Sequence, residues 1–343
     1  MGLSNNGTDK SFGAEPTVAS IILSLACLFG VLGNALVIWI ILFAMRTQRS
    51  PTVVLILNLA ITDVLVLITL PVWIYDLVHG WVFGDSLCKI LSCVISCNMY
   101  ASIFLITAMS VERFMAIIYP FATQRWRRSK VFVKLVLAIW ILAFLFTVPV
   151  LIYQAVDNDD DTGQHQCLYG KFDTDQQKIL CTVLQIVVGF LIPFSVLSIC
   201  YFCIGRKVKQ LSFNTPNRAG AVISSVLIVF FICWAPHHVL NLISIIALMS
   251  KTSDQTLSDT LTDIYNRGIY IAGTLAFINS CINPVLYAFA ARNIRNGFRV
   301  SALAKFFDQM THSVKEESRK GCTDTTKKDT SATMEEMHSL QVI

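Results

Sequence analysis

Polar and kink-forming residues interrupt the most apolar stretches of this chain. Asn283-Pro284 stands near the end of the last such stretch, with Tyr287 three residues beyond, and Asp63, Arg113 and Trp234-Ala235-Pro236 interrupt three others. Proline within a helix leaves a carbonyl without its donor and bends the chain. An ionisable side chain at bilayer depth costs about 2.5–3.5 kcal/mol by insertion scales, so such groups point to function before packing. The chemistry they offer is not covalent: a carboxylate, a guanidinium and a bent helix can hold a cation, exchange ion pairs and change shape. An enzyme would need clustered nucleophiles or metal ligands. His237-His238 is the nearest pair, but adjacent helical positions face different directions and no carboxylate completes a ligand set. No catalytic residue is expected, and the chain is read as not being an enzyme.

The elements that position these groups follow from composition. Of 343 residues, 55% are hydrophobic and 14% charged; soluble domains are nearer one-quarter charged, so this is the composition of a membrane protein. Segments able to span, each needing about 20 apolar residues, run over 18–44, 53–79, 86–118, 131–153, 179–205, 219–249 and 264–290. The first is too long for a cleaved leader and lacks a basic flank before it. Lys and Arg favour the cytoplasmic loops. Arg46 and Arg49, Arg125 to Lys130, Arg206 to Arg218, and Arg292 to Lys305 all lie on one side. Asp157, Asp159, Asp160, Asp161, Asp173 and Asp175 mark the other, so the amino terminus is expected outside and the carboxyl terminus inside.

The expected architecture is an all-α membrane protein: a seven-transmembrane helix bundle with a short amphipathic eighth helix. Residues 1–17 form the outer terminus, 18–290 the bundle, 291–308 the surface helix, whose apolar and basic residues alternate, and 309–343 a polar tail read as disordered. Asn6-Gly7-Thr8 is a glycosylation acceptor on the outer side. Most of the eleven cysteines fall inside spans; Cys88 and Cys167 alone are predicted at outer positions, where a disulfide can form. That bridge would tie the second outer loop to the third helix. No internal repeat or paired broken helices favour a transporter or channel, the alternative of a different class.

The ordered set of motifs resembles the rhodopsin-like (class A) G-protein-coupled receptors. It comprises Gly33-Asn34 with Val37, Asn58-Leu59-Ala60 with Asp63, Ser110-Val111-Glu112-Arg113-Phe114, Trp140, Pro193 and Tyr201, Cys233-Trp234-Ala235-Pro236, and Asn283-Pro284-Val285-Leu286-Tyr287. Asn98-Met99-Tyr100-Ala101-Ser102, Gly189-Phe190-Leu191-Ile192-Pro193-Phe194 and Ala235-Pro236 with His238 and Asn241-Leu242 are similar to the leukotriene B4 receptors. Thr69-Leu70-Pro71 is a kink shared with chemoattractant receptors generally.

The resemblance implies roles. Asp63, Ser102, Asn279 and Asn283 would hold a regulatory sodium ion; a water-bridged network without an ion is the alternative. Glu112 would restrain Arg113 until activation, when Tyr201 and Tyr287 move inward. Trp234 and Pro236 would form the hinge of helix six. The foot of helix six lacks an acidic residue near Pro216-Asn217-Arg218, so no ionic lock to Arg113 is expected there, and the resting state should be looser. Ligand contacts are expected from Tyr100, Gln185, His237 and Asn241, with Gln154, His238 and Arg267 near the rim; Arg267 is the helix-seven cation placed to meet a carboxylate. Gln154 and Gln185 are neutral where mammalian relatives carry charge, which leaves the ligand open.

Other receptor types need features this chain lacks. Ile95 stands where amine receptors have Asp, and Phe277 where opsins have Lys. No cysteine precedes Cys27 or lies in 250–263 to form the second bridge usual in chemokine receptors. The expected function is therefore reception of leukotriene B4 or a related lipid at the plasma membrane, passed to a heterotrimeric G protein of the Gi class. A peptide chemoattractant receptor is the second reading, suited by the acidic outer loop. Receptor kinases acting on Ser313, Ser318, Thr325, Thr326, Thr330, Ser331 and Thr333, then arrestin, would end the signal. Cys322 is a candidate for palmitoylation. Membrane lipids are the surroundings, and no nucleic acid partner is expected.

Overall fold

A bilayer leaves no water for unpaired amides, so a spanning chain must satisfy its backbone within each segment. The computed structural model, which describes residues 14–44, 51–119, 131–158, 165–169, 171–210 and 218–292, does so with seven helices long and apolar enough to cross a membrane. They are Ser20–Phe43, Pro51–His79, Gly84–Ile118, Phe132–Tyr153, Asp175–Lys207, Ile228–Ser250 and Gln255–Tyr287. Asn6, the expected eighth helix, the tail serines and threonines, and Cys322 lie outside the described residues.

Spans five and seven begin furthest ahead of where hydropathy predicts, and capping explains both. Thr174 Oγ1 accepts from Gln177 N at 3.2 Å, while Gln177 Oε1 accepts from Asp173 N at 3.2 Å. These reciprocal bonds satisfy free amides at a helix start, so the fifth helix begins at Asp175. Asp254 Oδ1 accepts from Leu257 N at 3.0 Å and starts the seventh helix at Gln255 in the same way. The second span breaks between Leu67 and Leu70. There Thr69 Oγ1 donates to Val66 O at 2.7 Å and Pro71 opens the next segment, which is the expected kink. A π-turn over Val187–Leu191 precedes Pro193 in the fifth span.

The third helix is the axis: it packs on the second, fourth, fifth and sixth spans. Span one closes on span seven through glycine. A Cβ at Gly33 would lie 2.9 Å from Pro284 Cβ, too near for any side chain. Asn34 Nδ2 then donates to Ser280 O at 2.9 Å across that contact. On the opposite side Trp140 Nε1 donates to Asn58 Oδ1 at 3.0 Å, joining spans four and two. The large apolar side chains left exposed, such as Phe29, Ile141, Phe144 and Phe202, face outward from the bundle, as lipid requires.

Between spans four and five, an unpredicted antiparallel hairpin pairs β1 (Gln154–Asn158) with β2 (His165–Tyr169). It lies over the outer end of span three, held by the Cys88–Cys167 disulfide, whose Cα atoms are 5.6 Å apart. Trp81, fully buried, donates from its backbone N to His165 O at 2.8 Å. Replacing Cys88 or Cys167 by Ser is expected to cut surface expression or ligand binding sharply. Native disulfides in small domains contribute about 2–5 kcal/mol, and here the bond sets where the hairpin sits. Surface labelling and radioligand binding check it, and two silent variants would refute it.

Candidate ligand site and signalling site

Three groups of polar side chains meet inside the bundle at different depths. In the outer half, Gln185 of span five and Asn241 of span six converge on His237. Gln185 Nε2 lies 3.0 Å and Asn241 Nδ2 3.3 Å from His237 Nε2. That nitrogen is the acceptor of both amides when the proton sits on Nδ1. Tyr100 is buried nearby on span three, its ring stacked on Phe104 (6.1 Å) and close to Phe146 (5.6 Å). Tyr100 and His238 both lie 3.5 Å from the position a Cβ on Gly189 would take, an ordinary contact distance, so both rings rest against span five at this point. The group is neutral and set in an aromatic wall. His237 stands edge-on to the Trp234 indole at 5.9 Å.

The other two expected contacts lie elsewhere. Gln154 is buried against the disulfide, with Nε2 3.2 Å from Cys167 Sγ and 3.7 Å from Cys88 Sγ. Arg267 has 81% of its side chain exposed and pairs with Asp263, one turn earlier, at 3.0 Å.

At mid-depth, Asp63 is fully buried. Its Oδ2 accepts from Asn283 Nδ2 at 2.8 Å and its Oδ1 from Asn98 Nδ2 at 3.3 Å. Asn98 Nδ2 also lies 3.5 Å from Ser102 Oγ, and Ser280 Oγ donates to Asn98 Oδ1 at 3.5 Å. Asp63, Ser102 and Asn283 are thus brought together as expected. Asn279 is buried too, but no described hydrogen bond joins it to the set. Asn98 and Ser280 are the members sequence reasoning missed. The spacing of Asn98 and Ser102, one turn apart on a single face, was the available signal. No basic side chain pairs with Asp63 among the described residues. A lone buried carboxylate, with the hydroxyl oxygens of Ser102 and Ser280 and the amide oxygen of Asn98 on neighbouring side chains, supplies the oxygen chemistry a small hard cation takes. Among the described residues no cluster of three His, Cys, Asp or Glu would hold a transition metal.

At the inner end, Arg113 and Glu112 are both buried, with Arg113 Nε 3.9 Å from Glu112 Oε2. Thr52 of span two donates to that same oxygen at 2.9 Å, a contact not foreseen. Tyr287 is buried and Tyr201 half-buried. Between the outer and inner groups stand Trp234 and Phe230, both buried, with rings 5.9 Å apart and Pro236 two residues above the indole.

Comparison with known proteins gives this arrangement its place. The sequence profile described as 7 transmembrane receptor (rhodopsin family) matches residues 33–287. The chain belongs to that family. Its relatives include the C3a anaphylatoxin chemotactic receptor of Oncorhynchus mykiss, 34% identical over 85% of this chain and 79% of that one. The leukotriene B4 receptor 1 of Homo sapiens is 33% identical over 90% of this chain and 87% of its own. The C-X-C chemokine receptor type 1 of Oryctolagus cuniculus is 33% identical over 82% and 78% respectively. As a rhodopsin-family receptor the protein is a multi-pass membrane protein that couples an agonist to G proteins, and it is not an enzyme.

Proposed function

We propose that this receptor responds to leukotriene B4 or a related lipid chemoattractant at the plasma membrane and signals through a heterotrimeric G protein of the Gi class. The observation that carries the reading is the Gln185–His237–Asn241 group. It offers uncharged hydrogen-bonding partners, deep in an otherwise aromatic and aliphatic wall, to a ligand with few polar atoms. Similarity to the human leukotriene B4 receptor 1 along 90% of the chain supports it. A ligand there presses on His237, which abuts Trp234, so differential contact with two positions of span six can shift the population toward the active bundle. A sodium ion at Asp63, Asn98, Ser102, Ser280 and Asn283 would favour the resting packing by neutralising the carboxylate. Asn279 would then support the site from beside it.

A peptide chemoattractant is the second reading. Asp157 on the hairpin, Asp173 just before span five and Asp175 at its start, which also pairs with Lys251, are exposed and put negative charge on the outer side, which suits a cationic peptide. The test is calcium and cAMP recording in receptor-expressing cells, against eicosanoids on one side and chemotactic peptides on the other, with and without pertussis toxin. Response to leukotriene B4 below micromolar concentration, lost with the toxin, is the expected result. Response to peptides alone would replace the lipid reading with the second one.

A further inference from the structure

We propose that Lys178, one turn into span five, is the group that holds the acid end of the ligand. The proposal rests on the lipid reading above and names the chemistry of the molecule received: an elongated monocarboxylic acid with a hydroxyl farther along its chain.

A carboxylate entering from outside needs a cation that is both available and turned inward. The described outer half of the chain carries Lys89, Lys171, Lys178, Lys251 and Arg267. Lys89 pairs with Asp85 at 3.1 Å, Lys251 with Asp175 at 3.8 Å and Arg267 with Asp263 at 3.0 Å. Lys171 is exposed. Lys178 is half-buried, and among the described residues its ammonium enters no ion pair or hydrogen bond. The charges that act on it are those of Asp175 and Lys251, of opposite sign, and neither is an ion-pair partner of its ammonium.

Its direction is set by the helix. Lys178, Thr182 and Gln185 recur at the four- and three-residue steps of one helical face. Thr182 is buried and Gln185 reaches His237, so that face looks into the bundle. Seven residues at 1.5 Å each separate Lys178 from Gln185, a rise of about 10 Å. A carboxylate at Lys178 therefore leaves a hydroxyl about 10 Å deeper to meet the Gln185–His237–Asn241 group. The apolar remainder then lies against Tyr100, Phe104 and Phe146. Arg267, solvated and already paired, is a poor partner for that carboxylate, because a surface ion pair gains little.

The test uses leukotriene B4 and its carboxyl methyl ester on full-length receptor in cells, with surface labelling to normalise expression. The wild type should prefer the acid by about 10- to 100-fold, the span of a charge-assisted hydrogen bond. Lys178→Gln should bring acid and ester to nearly equal potency, and Lys178→Arg should restore the preference. A preference unchanged in Lys178→Gln, or one abolished by Arg267→Gln instead, overturns the assignment while leaving the lipid reading intact. A wild type silent to both compounds and active with peptides overturns both.

Discussion

Arg113→Ala should reduce agonist-driven nucleotide exchange to the unstimulated rate while agonist still binds, with affinity changed by less than about tenfold, or 1.4 kcal/mol. The guanidinium sits at the inner end of the third span, only 3% exposed, beside Glu112 and far from the Gln185–His237–Asn241 group. A buried pair is costly to form, and deleting one partner leaves the other charge uncompensated, at about 3–5 kcal/mol. Loss of Arg113 therefore also loosens the resting packing around Glu112. Thr52 continues to donate to Glu112 at 2.9 Å and limits the damage. Because folding and signalling are both exposed, Glu112→Gln serves as the companion. It keeps the shape and the acceptor for Thr52, weakens the hold on Arg113, and should raise agonist-free exchange. Membrane assays of GTPγS binding beside radioligand saturation separate the two effects. Full signalling from Arg113→Ala would refute the assigned role.

The parts of this arrangement visible in sequence share one cause: they are expensive in lipid, so each stands out one residue at a time. Asp63, Arg113, Trp234-Ala235-Pro236 and Asn283-Pro284 break apolar runs, and the structure places all of them inside the bundle. The seven spans followed from the same contrast. What hydropathy hides is structure made by polar residues. Thr174 with Gln177, and Asp254 with Leu257, extend helices into segments that read as loop. The β1–β2 hairpin lies in a stretch whose polar and acidic residues read as loop, and it is tied down by the disulfide and by Trp81 N bonded to His165 O rather than marked by alternation. Partner choice was equally hidden. Gln154 turns to the disulfide and Arg267 to Asp263, because nearer partners compete for groups that sequence position alone assigns to a ligand. Lys178 is hidden in the sequence because one lysine ahead of an apolar run looks like a solvated flank. Its burial shows only once the faces of span five are known.

Asp63→Asn should flatten the response of agonist affinity to sodium. Asp63 accepts one amide on each oxygen, 2.8 Å from Asn283 and 3.3 Å from Asn98, with no exposed surface. These donors are neutral, so a sodium ion bound here would supply the compensation for a carboxylate charge, and would fix spans two, three and seven together. An agonist that needs those spans to move then competes with sodium without touching it, and by linkage each weakens the other equally. For couplings of about 1–3 kcal/mol, saturating sodium should lower wild-type agonist affinity by about 5- to 150-fold. Asparagine at this position keeps the volume and one acceptor but removes the charge that attracts the ion. One of the two donating amides loses a carboxylate partner, at about 1–3 kcal/mol, so expression should fall modestly while the sodium dependence disappears. Ser102→Ala should give an intermediate dependence, since it removes one neutral oxygen and leaves the carboxylate. Replacing sodium by N-methylglucamine at constant ionic strength keeps screening fixed, which ties any change to the small cation itself. If Asp63→Asn shows the wild-type sodium dependence under those conditions, the polar group is a water-bridged strut between helices and the ion acts elsewhere.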